Sequence, residues 1–233
     1  MKILGFQEVT VIDYPGRIAC TVFLFGCNFR CGFCHNPGLV LTPEGEERSK
    51  KSILDFLKKR RAELDGVCFT GGEPLMTLEE DFLRDIKQLG FLIKIDTNGS
   101  FPDKLENFIK EKLVDFVSMD IKSGKEKYDE VAGANVDLGK IEESIRSISK
   151  MEEYEFRTTV VDGIHDVEEV RKIAEWLNRI AGKKPKRFVL QGFKREAKLL
   201  DEEFRKKKNT TEETLREMKD AVKNYFEEVA IRV

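Results

Sequence analysis

The chain has 233 residues, 40% of them hydrophobic, with 41 basic and 43 acidic side chains and a net charge of −2. That is enough apolar material for a sizeable core, and no run approaches the roughly 18 apolar residues that span a bilayer. The near-balance of charge gives no electrostatic case for a nucleic-acid partner. The N-terminus, MKILGFQEVTVIDYPG, turns polar too soon for a secretory signal, so a cytoplasmic protein with no membrane partner is expected. The basic runs Lys183–Arg187 and Arg205–Lys208 read as solvated surface. A charged fraction of 36% with one tryptophan leans towards a heat-adapted source.

In chain order, residues 1–17 read as a lead-in. Strands are predicted at Ile18–Phe25, Gly66–Thr70, Leu92–Asp96, Asp115–Ile121, Tyr154–Val161, Arg187–Gln191 and Glu228–Val233. Helical periodicities fall between them, at about 50–64, 103–113, 138–151 and 211–226. Thr77 opens another, with Leu78, Phe82, Ile86 and Leu89 on one face and Glu80 completing a capping box. Asp166 and Glu169 start a further helix that Gly182 stops. Alternation of strand and helix implies a parallel sheet with crossover helices, either open and doubly wound or wholly or partly closed. The cysteine loop, GGEP, Asp96, Asp120 and Gln191 all fall at C-terminal strand ends, which is how a barrel assembles a site. The fold class expected is therefore α/β, a partial (β/α)6 TIM-like barrel. It forms a single domain over 1–233, with its core at 18–193 and a C-terminal helix and strand at 194–233.

Cysteines stand at 20, 27, 31, 34 and 68. An odd count with three so close together is not a disulfide framework. Cys20 and Cys68 lie in apolar runs and read as strand core. In GCNFRCGFCHNP, three crowded thiolates need a shared positive partner, or repulsion keeps them protonated. Structural zinc wants four ligands, and His35 directly follows Cys34, a poor position for closing a tetrahedron with it. Three ligands to a [4Fe–4S] cluster would leave one iron open, as a catalytic metal centre requires. A zinc site or simple packing remains the bland alternative.

The spacing Cys27-x3-Cys31-x2-Cys34 resembles the signature of the radical S-adenosylmethionine (SAM) superfamily. The resemblance implies the fold named above and a cluster whose open iron is chelated by the methionine end of SAM. Reductive cleavage then gives a 5′-deoxyadenosyl radical that abstracts a hydrogen atom. Thr70–Pro74 (TGGEP) resembles the family's GGE segment, in which Gly71 and Gly72 allow close approach and Glu73 receives the methionine ammonium. By the same likeness Phe33 lies beside the adenine, and His35 and Asn36 border the cofactor. Asp96 and Thr97, in DTNG, read the ribose or shape the methionine site. Asp120 and Lys122, in SMDIK, match a pair at the cofactor in the branch that activates glycyl-radical enzymes. There Asp96, Thr97 and Asp120 also match positions implied to hold a monovalent cation. Charges on so apolar a strand need partners in any case. Arg157 lies mid-strand on one face with Thr159, and is expected to meet either the SAM carboxylate or a neighbouring acid. Gln191 ends a strand and borders the site.

The stretch IDYPGRIACTVFLFGCNFRCGFCHNP resembles the small activases of glycyl-radical proteins, and its DYPG lead-in resembles the branch acting on anaerobic ribonucleotide reductase. The resemblance implies a protein substrate and an external one-electron donor such as flavodoxin or ferredoxin. The alternatives are a pyruvate formate-lyase activator, a small-molecule radical enzyme of the deazapurine synthase kind, and a non-enzymatic electron-transfer or zinc module.

Overall fold

The computed structural model describes residues 1–43, 46–196 and 198–233. By contacts the chain divides into two units. The first holds Met1–Asn28, Gly38–Thr97 and Asp103–Val117; the second holds Phe29–Pro37, Asn98–Pro102 and Ser118–Val233.

In the first unit strand β1 (Ile3–Thr10) pairs antiparallel with β2 (Ala19–Leu24). From β2 the strands β3 (Gly66–Gly71) and β4 (Leu92–Thr97) follow in parallel register. Helices α1 (Lys50–Lys59), α2 (Glu80–Gln88) and α3 (Pro102–Lys110) fall between strands. Strand β5 (Phe116–Asp120) straddles the division. The second unit continues with α4 (Tyr128–Ala132), α5 (Leu138–Ile148), β6 (Tyr154–Val160), α6 (Val167–Ala181), β7 (Arg187–Gly192), α7 (Glu212–Val222) and β8 (Glu228–Arg232). There β6, β7 and β8 are again parallel neighbours. Parallel strands joined through helices need both faces covered, and most residues of β2 to β7 are accordingly buried. Cys20 and Cys68 are fully buried within β2 and β3, and burial pushes the Cys20 thiol up to about 12.

Two sequence expectations are corrected. The lead-in over 1–17 contains β1, whose alternation Gly5 and two register shifts interrupt; that broken pattern hid the strand. The Thr77 capping box does not form. Glu79, not Thr77, is the N-cap of α2, with no side-chain cap. The Thr77 backbone N–H instead closes a 3-10 turn, Pro74–Met76, by donating to the Pro74 carbonyl. Its hydroxyl is buried without a hydrogen-bond partner. Glu80 accepts from Arg84 and Asn107 rather than reaching back. The Asp166 cap does form, its carboxylate accepting the Glu169 N–H at 2.7 Å, and Gly182 ends α6 in the left-handed conformation at φ 66.

Candidate functional site

In the first unit the GGE segment leaves β3 pressed against the end of β2. The Gly72 N–H donates to the Leu24 carbonyl at 2.9 Å, and the Glu73 N–H to the Gly26 carbonyl at 2.7 Å. A Cβ on Gly72 would lie 2.1 Å from the Gly26 carbonyl oxygen, and one on Gly71, at φ +113, would lie 2.5 Å from that of Leu24. The glycines are thus required first by the neighbouring chain, a reason the sequence did not show. This approach places the Glu73 carboxylate inside, 1% exposed. Its Oε1 accepts from the Leu75 N–H at 3.0 Å and from the Thr97 hydroxyl at 2.8 Å. Glu73 and Thr97, predicted from separate motifs, therefore meet directly. Asp96 accepts from Thr70 Oγ1 at 3.2 Å and from the ammonium of Lys94.

In the second unit the loop carrying Cys31 and Cys34 is a tight turn, with the Cys34 N–H donating to the Cys31 carbonyl at 3.0 Å. Cys31 is 7% exposed, and its thiol donates to the Ala132 carbonyl at 3.6 Å. Burial pushes this thiol up, Lys122 pulls it down, and Cys34 adds to the rise. Binding a cation therefore has to displace protons, as metal capture by thiols does. Arg30 donates its N–H to the Ala132 carbonyl at 2.8 Å. Gly133 ends α4 at φ +62, where a Cβ would lie 2.4 Å from the Arg30 carbonyl oxygen.

The segment after β7 holds the other side of the loop: Leu200 donates to the Cys34 carbonyl and Asp201 to that of Gly32. Phe33 is 6% exposed and its ring lies 6.0 Å from that of Phe204. Gly32 has no room for a Cβ against Phe204. Sequence reasoning missed Phe204, Leu200 and Asp201, because only the fold brings them to the loop. His35 packs its ring 6.0 Å from Phe193, its Nε2 is buried without a partner, and burial lowers its pKa. Asn36 and Cys27 are partly exposed.

Asp120 is the centre of a charge cluster. It accepts from Arg157 Nε at 2.7 Å and from Lys122 Nζ at 3.1 Å. Burial would push its carboxyl up; Arg157 and then Lys122 outweigh this and hold it well below the usual carboxylate range. Burial likewise opposes the Lys122 charge, and Asp120 more than restores it, so its pKa is raised. The internal acid expected for Arg157 is thus Asp120. Gln191 pairs in register with Thr159 as Val189 does with Arg157, so Gln191 shares the Arg157 face of the sheet. His165, far from any motif, supports the cluster. Its Nδ1 accepts the Val161 N–H at 3.1 Å, which makes Nε2 the donor to the Lys122 carbonyl at 2.8 Å.

No three of the described His, Cys, Asp and Glu side chains converge on a point for one metal ion. A four-iron cluster asks something else of its ligands, one thiolate per iron. The donor set of Cys27, Cys31 and Cys34 is of the right chemistry for it. The buried Glu73 carboxylate is likewise suited to an ammonium.

The radical SAM superfamily model matches residues 21–177, a span that contains the three cysteines, GGE, Asp96, Asp120 and Arg157. The chain belongs to the radical SAM superfamily. A Methanocaldococcus jannaschii protein that carries the name glycyl-radical enzyme activating enzyme is 33% identical over 98% of this chain and 94% of its own length; this relative places the chain in that oxidoreductase branch. The pyruvate formate-lyase-activating enzyme of Clostridium pasteurianum is 35% identical over 52% of each chain, so this chain matches about half of that relative. Among solved structures, coproporphyrinogen III oxidase of Escherichia coli, a radical SAM enzyme, superimposes with a TM-score of 0.59. It covers 92% of this chain and 54% of that one, at 13% identity, a likeness of fold. That fold is the partial barrel of the superfamily, and the superfamily works with a [4Fe–4S] cluster and SAM.

Proposed function

We propose that this protein removes a hydrogen atom from a glycine Cα of a partner enzyme and leaves a glycyl radical there. The observation that carries this reading is the 33% identity along 98% of the chain to the M. jannaschii activating enzyme. Bound together, the cluster and SAM supply a one-electron reduction that ends in hydrogen abstraction from carbon. In this reading the whole chain works as one core domain. Cys27, Cys31 and Cys34 hold the cluster, backed by the Leu200–Phe204 segment. Glu73, oriented by the Leu75 N–H and Thr97, receives the methionine ammonium, and Gly71 and Gly72 give it its place. Phe33 faces the adenine, Asp96 and Thr97 face the ribose, and His35 and Asn36 close the loop around the cofactor. Arg157 and Lys122, fixed by Asp120, present positive charge to the methionine carboxylate, with Gln191 beside them. An external flavodoxin or ferredoxin supplies the electron.

The partner we propose is an anaerobic ribonucleotide reductase, on the likeness of Asp13–Gly16 (DYPG). Tyr14 in that motif is 4% exposed and packs 5.7 Å from the Phe116 ring, so this side chain anchors the fold, while Gly16 and the flanking Ile12 and Ile18 are exposed. The likeness to the Clostridium enzyme favours pyruvate formate-lyase as a second reading. Reduced, cluster-loaded protein mixed with SAM and each candidate partner should give a glycyl doublet by electron paramagnetic resonance with the reductase. A doublet with the lyase alone would reassign the partner. SAM cleavage with no doublet on either would overturn the activase reading.

A further inference from the structure

The likeness to glycyl-radical activases implied a monovalent cation at Asp96, Thr97 and Asp120, and the charges present do not fit one. Lys94 is 1% exposed inside β4. Strand alternation puts it on the same face as Asp96, and its ammonium is paired with Asp96 Oδ1. The other carboxylate oxygen, Oδ2, accepts from Thr70 Oγ1 at 3.2 Å. Parallel register sets Cys68 beside Lys94, with Cys68 Sγ 3.7 Å from Nζ, and the Phe116 ring centroid lies 5.9 Å from the ammonium. The surroundings of Nζ thus include a carboxylate, a soft sulfur and an aromatic ring, an environment that suits an ammonium. An alkali ion instead takes a shell of hard oxygens. The Thr97 hydroxyl already donates to Glu73. In the second unit Asp120 is charge-matched by Arg157 and Lys122. Each carboxylate assigned to the cation therefore carries a cation of the chain's own, and a metal ion at Asp96 would meet a fixed positive charge at contact distance.

We propose that the Lys94 ammonium takes the place of the monovalent cation at Asp96, so that cofactor binding in this protein needs no alkali metal. Lys94 is a positioning residue: it holds the Asp96 carboxylate in one orientation through a covalently tethered charge. A lysine in the middle of a buried strand, two residues before DTNG, is the sequence trace of this arrangement. The proposal rests on Asp96 and Thr97 lining the SAM site, so its test includes a readout that does not depend on SAM.

Two measurements on the cluster-loaded protein decide it. Sodium-23 resonance broadening reports ion capture directly, and calorimetric SAM titration in potassium chloride against choline chloride at equal ionic strength reports its consequence. The wild-type chain should show no sodium broadening that excess potassium reverses, and SAM affinity should agree within about twofold between the two salts. Lys94→Met should gain the reversible sodium signal, lose about tenfold in SAM affinity in choline, and recover most of it in potassium. Alkali dependence of the wild-type chain, or a Lys94→Met defect equal in both salts, would overturn the proposal. If Lys94→Met does not fold, the wild-type sodium signal and salt series decide alone. If SAM does not bind in any salt, the proposed function fails, while the sodium signal still rules on Lys94.

Discussion

The two units hold their key carboxylates by different means. Glu73 lies at 1% exposure and takes hydrogen bonds from a backbone N–H and a threonine hydroxyl. The Asp120 side chain is 28% exposed and is held by an arginine and a lysine. Dipoles fix a carboxylate's direction, whereas two full charges at hydrogen-bond distance neutralise it and turn it into a scaffold for the cations. Glu73 is thus suited to receive a positive group, and Asp120 to present positive groups to a negative one.

The comparison can be broken by exchanging these roles. The largest effect expected is from Glu73→Gln, which should lower SAM affinity by roughly 30- to 150-fold, about 2–3 kcal/mol. Calorimetric titration checks this, and a loss under threefold would mean that Glu73 is structural. Next, Arg157→Met should cost about 2 kcal/mol of stability in urea unfolding, since Asp120 keeps only one cation. It should also flatten the acid limb. The folded Asp120 pKa lies below its unfolded value of about 3.9, so its stabilisation is present above that pH and is lost as pH falls through the folded value. Wild-type stability should therefore drop more steeply below about pH 4 than that of the variant.

His165 sharpens the comparison from behind the cluster. Burial lowers its pKa, and its Nδ1 must stay unprotonated to accept from Val161. The unfolded chain takes up the proton first, so stability should fall as pH drops below about 6.5, by up to ~1.4 kcal/mol per pH unit. His165→Gln should remove its share of that slope and leave the share of His35, whose pKa burial also lowers, read from unfolding at a series of pH values. Smallest, Thr77→Val next to the GGE turn should be neutral or stabilise by about 1 kcal/mol, because it deletes a buried hydroxyl that has no partner. Thermal unfolding checks it.

What the sequence showed and what it hid divide along the same physical line. Cys27, Cys31, Cys34 and the GGE segment were legible because their chemistry needs fixed residue types at fixed short spacing. The strands were legible from apolar runs, β1 excepted, where Gly5 and register shifts break the alternation. His165 and Phe204 were not, since their partners come from loops many residues away; Lys94 lies only two residues before its partner Asp96, but its place beside Cys68 comes from strand register. The capping box failed for a related reason: the Pro74 turn claimed Thr77 before the helix could. DYPG was legible as a family likeness; that its Tyr14 is buried against Phe116 was not.

The most direct test of the account is the electron paramagnetic resonance spectrum of the reduced, anaerobically reconstituted protein, taken with and without SAM. A [4Fe–4S] cluster held by Cys27, Cys31 and Cys34 with one iron open should give a signal whose g values shift when SAM is added, and replacing any one of the three cysteines with serine should abolish it. A reconstituted protein that holds zinc, or a cluster signal indifferent to SAM, would contradict it.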